Sequence, residues 1–92
     1  MIQSFRHKGL RRLFEEGDRS RLPAEMVDRI RTILSLLDAA SALKDFDRPS
    51  FKLHRLKGNM EGFWAVTVRA NWRIIFRFSE RDVHEVDFMD YH

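Results

Sequence analysis

The hydrophobic period of this chain changes once, near Phe51, and that switch constrains the fold more than any other feature. Before it, apolar residues recur at helical spacing: Leu10, Leu13 and Phe14, then Met26, Val27, Ile30, Ile33, Leu34 and Leu37. After it they alternate. Phe51 and Leu53 are followed by Trp64, Val66 and Val68, by Ile74, Phe76 and Phe78, and by Val86 and Phe88. Helices followed by a strand meander predict an α+β fold, two N-terminal helices packed on one apolar face of an antiparallel sheet.

Punctuation sharpens this. Residues 2–5 read as a brief edge strand, a first helix runs from Arg6 to a stop at Gly17, and Pro23 sits in the first turn of a second helix whose Asp28, Arg29 and Arg31 turn outward. Residues 39–46 allow one more short turn before Asp47-Arg48-Pro49-Ser50 breaks it. A two-residue turn at Ala70-Asn71 would set Val66 and Val68 on the face opposite Ile74 and Phe76. The pattern therefore predicts a three-residue connection, Ala70-Asn71-Trp72. Thr67, Arg69, Arg73, Ile75 and Arg77 then share the face away from the helices, a polar surface with three guanidiniums. The last strand follows a turn at Ser79-Glu80-Arg81-Asp82.

Ninety-two residues make one domain, 1–92, and a 43% hydrophobic content with eight Phe argues against disorder. Without cysteine there is neither a disulfide nor a thiolate metal site, which suits a reducing cytoplasm. No run approaches the ~20 apolar residues of a membrane span, and the opening residues lack a signal peptide. The expectation is a soluble cytoplasmic protein. Its net charge is +3, but distribution matters more. Between Phe51 and Arg77, Lys52, Arg55, Lys57, Arg69, Arg73 and Arg77 oppose Glu61 alone, a bias that suits a polyanion such as RNA.

Three segments carry chemistry: Lys52-Leu53-His54-Arg55-Leu56-Lys57-Gly58, Asn71-Trp72-Arg73 and the terminal Asp90-Tyr91-His92. Cleaving RNA without a metal takes a base for the 2′-hydroxyl proton, cations for charge building on phosphorus, and an acid for the departing 5′-oxygen. Histidine suits both proton roles, because its ordinary pKa of about 6.5 keeps both forms available near neutrality. His54 should point away from the core beside Lys52, and Lys57 stands where a turn begins. No HExxH or comparable spacing exists, so no metal or cofactor is expected. The loop between Gly58 and Gly62 lacks the flanking strand and helix of a phosphate cradle.

Taken together and in this order, these residues resemble the HigB family of bacterial toxins, a branch of the RelE/ParE superfamily. The resemblance runs the length of the chain: Phe5, Lys8 and Gly9, the Pro23 helix, Lys52-Leu53-His54, Leu56-Lys57-Gly58, Gly62, Trp64, Val68-Arg69-Ala70-Asn71-Trp72-Arg73-Ile74 and Asp90-Tyr91-His92. It implies a microbial-RNase-like fold with a curved sheet and an endonuclease that cuts mRNA in the A site of the translating 70S ribosome. Its implied partner is a HigA-like helix-turn-helix antitoxin. The family's site maps onto His54, Lys57, Asp90, Tyr91 and His92. Arg73 matches the superfamily's sheet-borne cation, with Lys52 and Arg69 as further RNA contacts. His92 is implied as base or acid with Asp90 orienting it, Lys57 and Arg73 as phosphorane stabilisers, His54 as second proton carrier or phosphate contact, and Tyr91 as a stacking or hydrogen-bonding group. Those roles require the chain end to fold back against the sheet near Lys57. Ala65 and Met89 depart from the family pattern and bear on substrate contacts. A ParE-like toxin that binds its target without cutting is the alternative, and a bare RNA-binding module is a third reading.

Overall fold

The computed structural model describes residues 1–90; Tyr91 and His92 lie outside the described residues. Helix α1, Lys8–Glu16, starts later than the spacing predicts because His7 caps it, its Nδ1 accepting the Leu10 N–H at 3.2 Å. Gly17 closes it in the left-handed conformation, and its N–H returns to the Leu13 carbonyl at 3.0 Å. Past Pro23, a 3-10 turn over Ala24–Met26 feeds α2, Val27–Ala39, whose Val27, Ile30, Ile33, Leu34 and Leu37 are buried as the stripe requires. A second 3-10 turn, Leu43–Phe46, drives Phe46 fully into the core, edge-on to Phe76 at 5.3 Å and Phe78 at 5.9 Å.

Four strands follow: β1 (His54–Arg55), β2 (Trp64–Arg69), β3 (Trp72–Ser79) and β4 (Asp82–Asp90). They form one antiparallel meander in chain order. The helices cover one face of it, where Val66, Val68, Ile74, Phe76, Val86 and Phe88 join a single core with α1 and α2. Strand β1 is shorter than the alternation from Phe51 suggests, since Lys52 adopts a left-handed conformation that interrupts regular pairing. Residues 2–5 do run along the sheet edge, as two parallel bridges from Ile2 to Val83 and Phe5 to Val86.

The β2–β3 connection corrects the expected loop. Arg69 pairs with Trp72, so the turn has two residues, with Ala70 left-handed. The extra residue lies within the strand instead: the register shifts between Thr67 and Arg69, so Val68 is a bulge. A bulge has the same parity as a longer loop, and Val66 therefore pairs with Ile74 as the faces demand. The hairpin to β4 is also a two-residue turn, Glu80-Arg81, both left-handed.

Arg29 does not turn outward. Its guanidinium crosses to the bulge and donates to the carbonyls of Val68 (3.1 Å), Thr67 (3.0 Å) and Ser50 (2.8 Å), while stacking 5.1 Å from the Phe51 ring. Carbonyls that a bulge removes from the ladder need donors, and one planar cation supplies several. Arg29→Ala is expected to destabilise the fold by about 2–3 kcal/mol in a denaturant melt, against less than about 0.5 kcal/mol for the exposed Arg31→Ala.

Candidate active site

Cross-strand partners share a face, so the ladder defines the surface away from the helices. One row is His54, Ala65, Ile75 and Asp87; the next is Thr67, Arg73 and Met89. This face is not the bare polar surface that the alternation predicts. Ala65 and Ile75 are fully buried in a second apolar cluster with Leu56 and Phe63, flanked by Met60 and Met89. Residues 56–63 fold over the sheet to make it, because Leu56, Met60 and Phe63 would otherwise leave their apolar area in water. The Leu56 N–H donates to the Phe63 carbonyl at 2.9 Å and closes this flap at its base.

His54 is exposed at the edge of the cluster, and its Nδ1 lies 2.9 Å from the Lys52 carbonyl. A carbonyl only accepts, so Nδ1 carries the hydrogen in this contact, and in the neutral ring Nε2 is left as the proton acceptor. The left-handed φ of 51° at Lys52 turns that carbonyl toward the ring. Lys52 thus contributes its backbone to the site, and its exposed side chain remains available to a polyanion.

Arg73 is half-buried: Nη1 donates to the Ala70 carbonyl at 2.6 Å and the Trp72 carbonyl at 3.3 Å. Among the described residues, its Nε and the hydroxyl of its cross-strand neighbour Thr67 are enclosed without a hydrogen-bond partner. An enclosed donor without a partner costs about 1–3 kcal/mol. Arg69 stays exposed at the turn. Asp90 pairs with Trp72 in the adjacent row and is exposed, and Trp72 stacks on Phe88 at 4.7 Å to close that end of the core.

Lys57 lies past the end of β1, in the flap that folds over the sheet. Arg55, two residues before it, pairs with Trp64 and so shares the row of Phe76. The sheet therefore brings His54 and Arg73 onto one face. The expected approach of the chain end to Lys57 turns on His92 and, like the part given to Tyr91, lies outside the described residues. Among the described residues, no three His, Asp or Glu side chains are grouped to hold a metal ion.

The alternation put Arg77 on this face without giving it a role. It proves to be strongly held: its guanidinium sits 4.4 Å from the Phe63 ring centroid, and its Nε lies 3.0 Å from Glu85 Oε2. Gly62 makes room for it. Gly62 has φ 95°, and an added Cβ would stand 2.5 Å from Arg77 Nη1. The sequence signal was a glycine and an aromatic residue facing an arginine across the sheet. Gly17 also has positive φ, but nothing lies within 4 Å of its added Cβ. Gly17→Ala should cost about 1 kcal/mol from backbone conformation alone, and Gly62→Ala about 2 kcal/mol, because Arg77 must also leave its partners. Equal shifts in the two chemical melts would contradict this.

Comparison with known proteins agrees with this fold. The chain is 50% identical over 92 residues, all of both chains, to the protein named Endoribonuclease HigB of Proteus vulgaris. It is 31% identical over 80 residues to Toxin HigB-1 of Vibrio cholerae serotype O1, covering 85% of this chain and 84% of the relative. In fold it resembles a variant of YafQ from E. coli, with a TM-score of 0.65 at 13% identity over 98% of this chain and 93% of the other. It also resembles the YoeB–YefM complex of Staphylococcus aureus, with a TM-score of 0.60 at 16% identity over 100% of this chain and 98% of the other. A sequence model of the family described as RelE-like toxin of type II toxin-antitoxin system HigB matches residues 3–92, and the chain belongs to that family of HigB-like toxins.

Proposed function

We infer that this protein is the toxin of a type II toxin–antitoxin pair and an endoribonuclease that stops translation by cutting mRNA. The observation that carries the inference is full-length 50% identity to an endoribonuclease, joined to a sheet face that carries the exposed His54 ring and a half-buried guanidinium. The finer reading is cleavage in the ribosomal A site, on a curved, microbial-RNase-like sheet, with a HigA-like helix-turn-helix protein as antitoxin. No helix among the described residues is long and apolar enough to cross a membrane, which accords with a cytoplasmic target.

The chemistry proceeds by proton transfer. A base takes the 2′-hydroxyl proton, O2′ bonds to phosphorus, and the P–O5′ bond breaks as an acid protonates the leaving oxygen. The products are a 2′,3′-cyclic phosphate and a free 5′-hydroxyl. His54 Nε2 can act in one proton transfer and His92 in the other, with Asp90 orienting its neighbour and Tyr91 contacting the base. Arg73 is suited to the charge that builds on the phosphorane, since a preorganised cation gains strength where water is excluded. Lys57 supplies a second cation to the phosphorane, and Lys52 and Arg69 contact flanking phosphates. General acid–base help is typically worth about 10²–10⁴-fold, so His54→Ala and His92→Ala should each slow cleavage by at least about 10²-fold. Inducing each form in bacteria and mapping new mRNA ends tests this. Wild type should generate 5′-hydroxyl ends and the variants almost none, whereas equal patterns would refute the assignment.

A further inference from the structure

Arg77 is held on three sides, and what remains open is informative. Glu85 occupies Nε at 3.0 Å, the Phe63 ring covers one face of the guanidinium at 4.4 Å, and Nη1 and Nη2 lie alongside Gly62. Among the described residues, neither Nη atom is given a hydrogen-bond partner, and the side chain is 44% exposed. The free edge is thus a planar fork of donors, the geometry that matches two phosphate oxygens. Glu85 holds it from a left-handed bulge residue, φ 54°, a conformation that costs about 1–2 kcal/mol outside glycine and collects at functional sites. The Glu85 N–H donates to Ser4 Oγ at 2.9 Å, which fixes the bulge against the first residues of the chain.

The neighbourhood is cationic. Arg6 places a second guanidinium 5.6 Å from the same ring and 4.0 Å from Glu85. Gly62 also lines a depression of about 490 Å³ with Arg55, Lys57 and Glu61 around it. Arg77 and Arg73 stand on one strand and one face, four residues apart, which is about 13 Å. That is too far for both to grip one phosphate. We propose that Arg77, positioned by Glu85 and Phe63 beside Gly62, binds a second phosphate of single-stranded RNA, displaced along the strand from the linkage that is cut. The proposal deepens the endoribonuclease reading by adding a subsite to it, and Arg77 acts in binding, with no part in proton transfer.

The test is binding of the full-length protein to a fluorescent single-stranded RNA of about ten nucleotides, fully 2′-O-methylated so that it cannot be cut, between about 50 and 300 mM salt. Arg77→Gln should weaken binding about tenfold at low salt and lower the slope of log K against log salt by about 0.7, the loss of one phosphate contact. Arg77→Lys keeps the charge but not the fork, so its slope should hold while affinity falls about threefold. Thermal melts confirm that each variant is folded, and if Arg77→Gln is not, Arg77→Lys decides. Unchanged affinity and slope in the folded variants, or no wild-type binding at the lowest salt, overturns the proposal. Because the probe is uncleavable, the two readings fail separately. Altered slopes with no mRNA cutting in cells would sink the endonuclease and leave the subsite, and cutting with unaltered slopes would do the reverse.

Discussion

Burial of Ala65 and Ile75 is the constraint on which the rest of this structure depends. A four-stranded sheet has two faces, and here the two helices cover only one. The second is too apolar at its centre to meet water, so residues 56–63 fold across it and Leu56 and Phe63 complete a small separate core. That flap sets the position of Lys57, makes Gly62 the point of closest approach to Arg77, and leaves His54 at its margin. The arrangement of cations around the site is thus a consequence of hydrophobic cover.

Two bulges tune the ladder beneath it. The one at Val68 restores the register that lets Val66 meet Ile74, and Arg29 satisfies the carbonyls it displaces. The other, at Glu85, lies between the pairs Ile75–Asp87 and Arg77–His84, and aims a carboxylate at Arg77. Both are local irregularities with long-range effect, since each fixes which side chains of the following residues reach a given face.

Much of this was legible in the sequence. The α2 stripe and the Gly17 stop stand where periodicity and cap chemistry put them, and the meander follows the alternation from Trp64 onward. The facing of Val66 and Ile74 was also legible, but its cause was not. Loop length and a bulge correct parity equally well, and only coordinates separate them. Arg29 was misjudged because helical spacing shows which face a residue leaves, not how far a long side chain can reach back. The second cluster was hidden because Leu56, Met60 and Phe63 carry no period of their own. Of the proposed site, His54, Arg73 and Arg77 were assigned to the outer face by alternation, whereas the tautomer of His54 depends on a backbone angle at Lys52 that composition does not encode.

Under the proposed function a single strand of RNA would lie across the outer face, from the Lys57–Gly62 flap past His54 to Arg73. The direct measurement is amide chemical-shift mapping of 15N-labelled protein titrated with the uncleavable RNA strand. An outer-face path predicts shifts at His54, Thr67, Arg73, Met89 and residues 57–62, with the solvent side of α2 unmoved. Shifts confined to α1 and α2, with those positions silent, would contradict it.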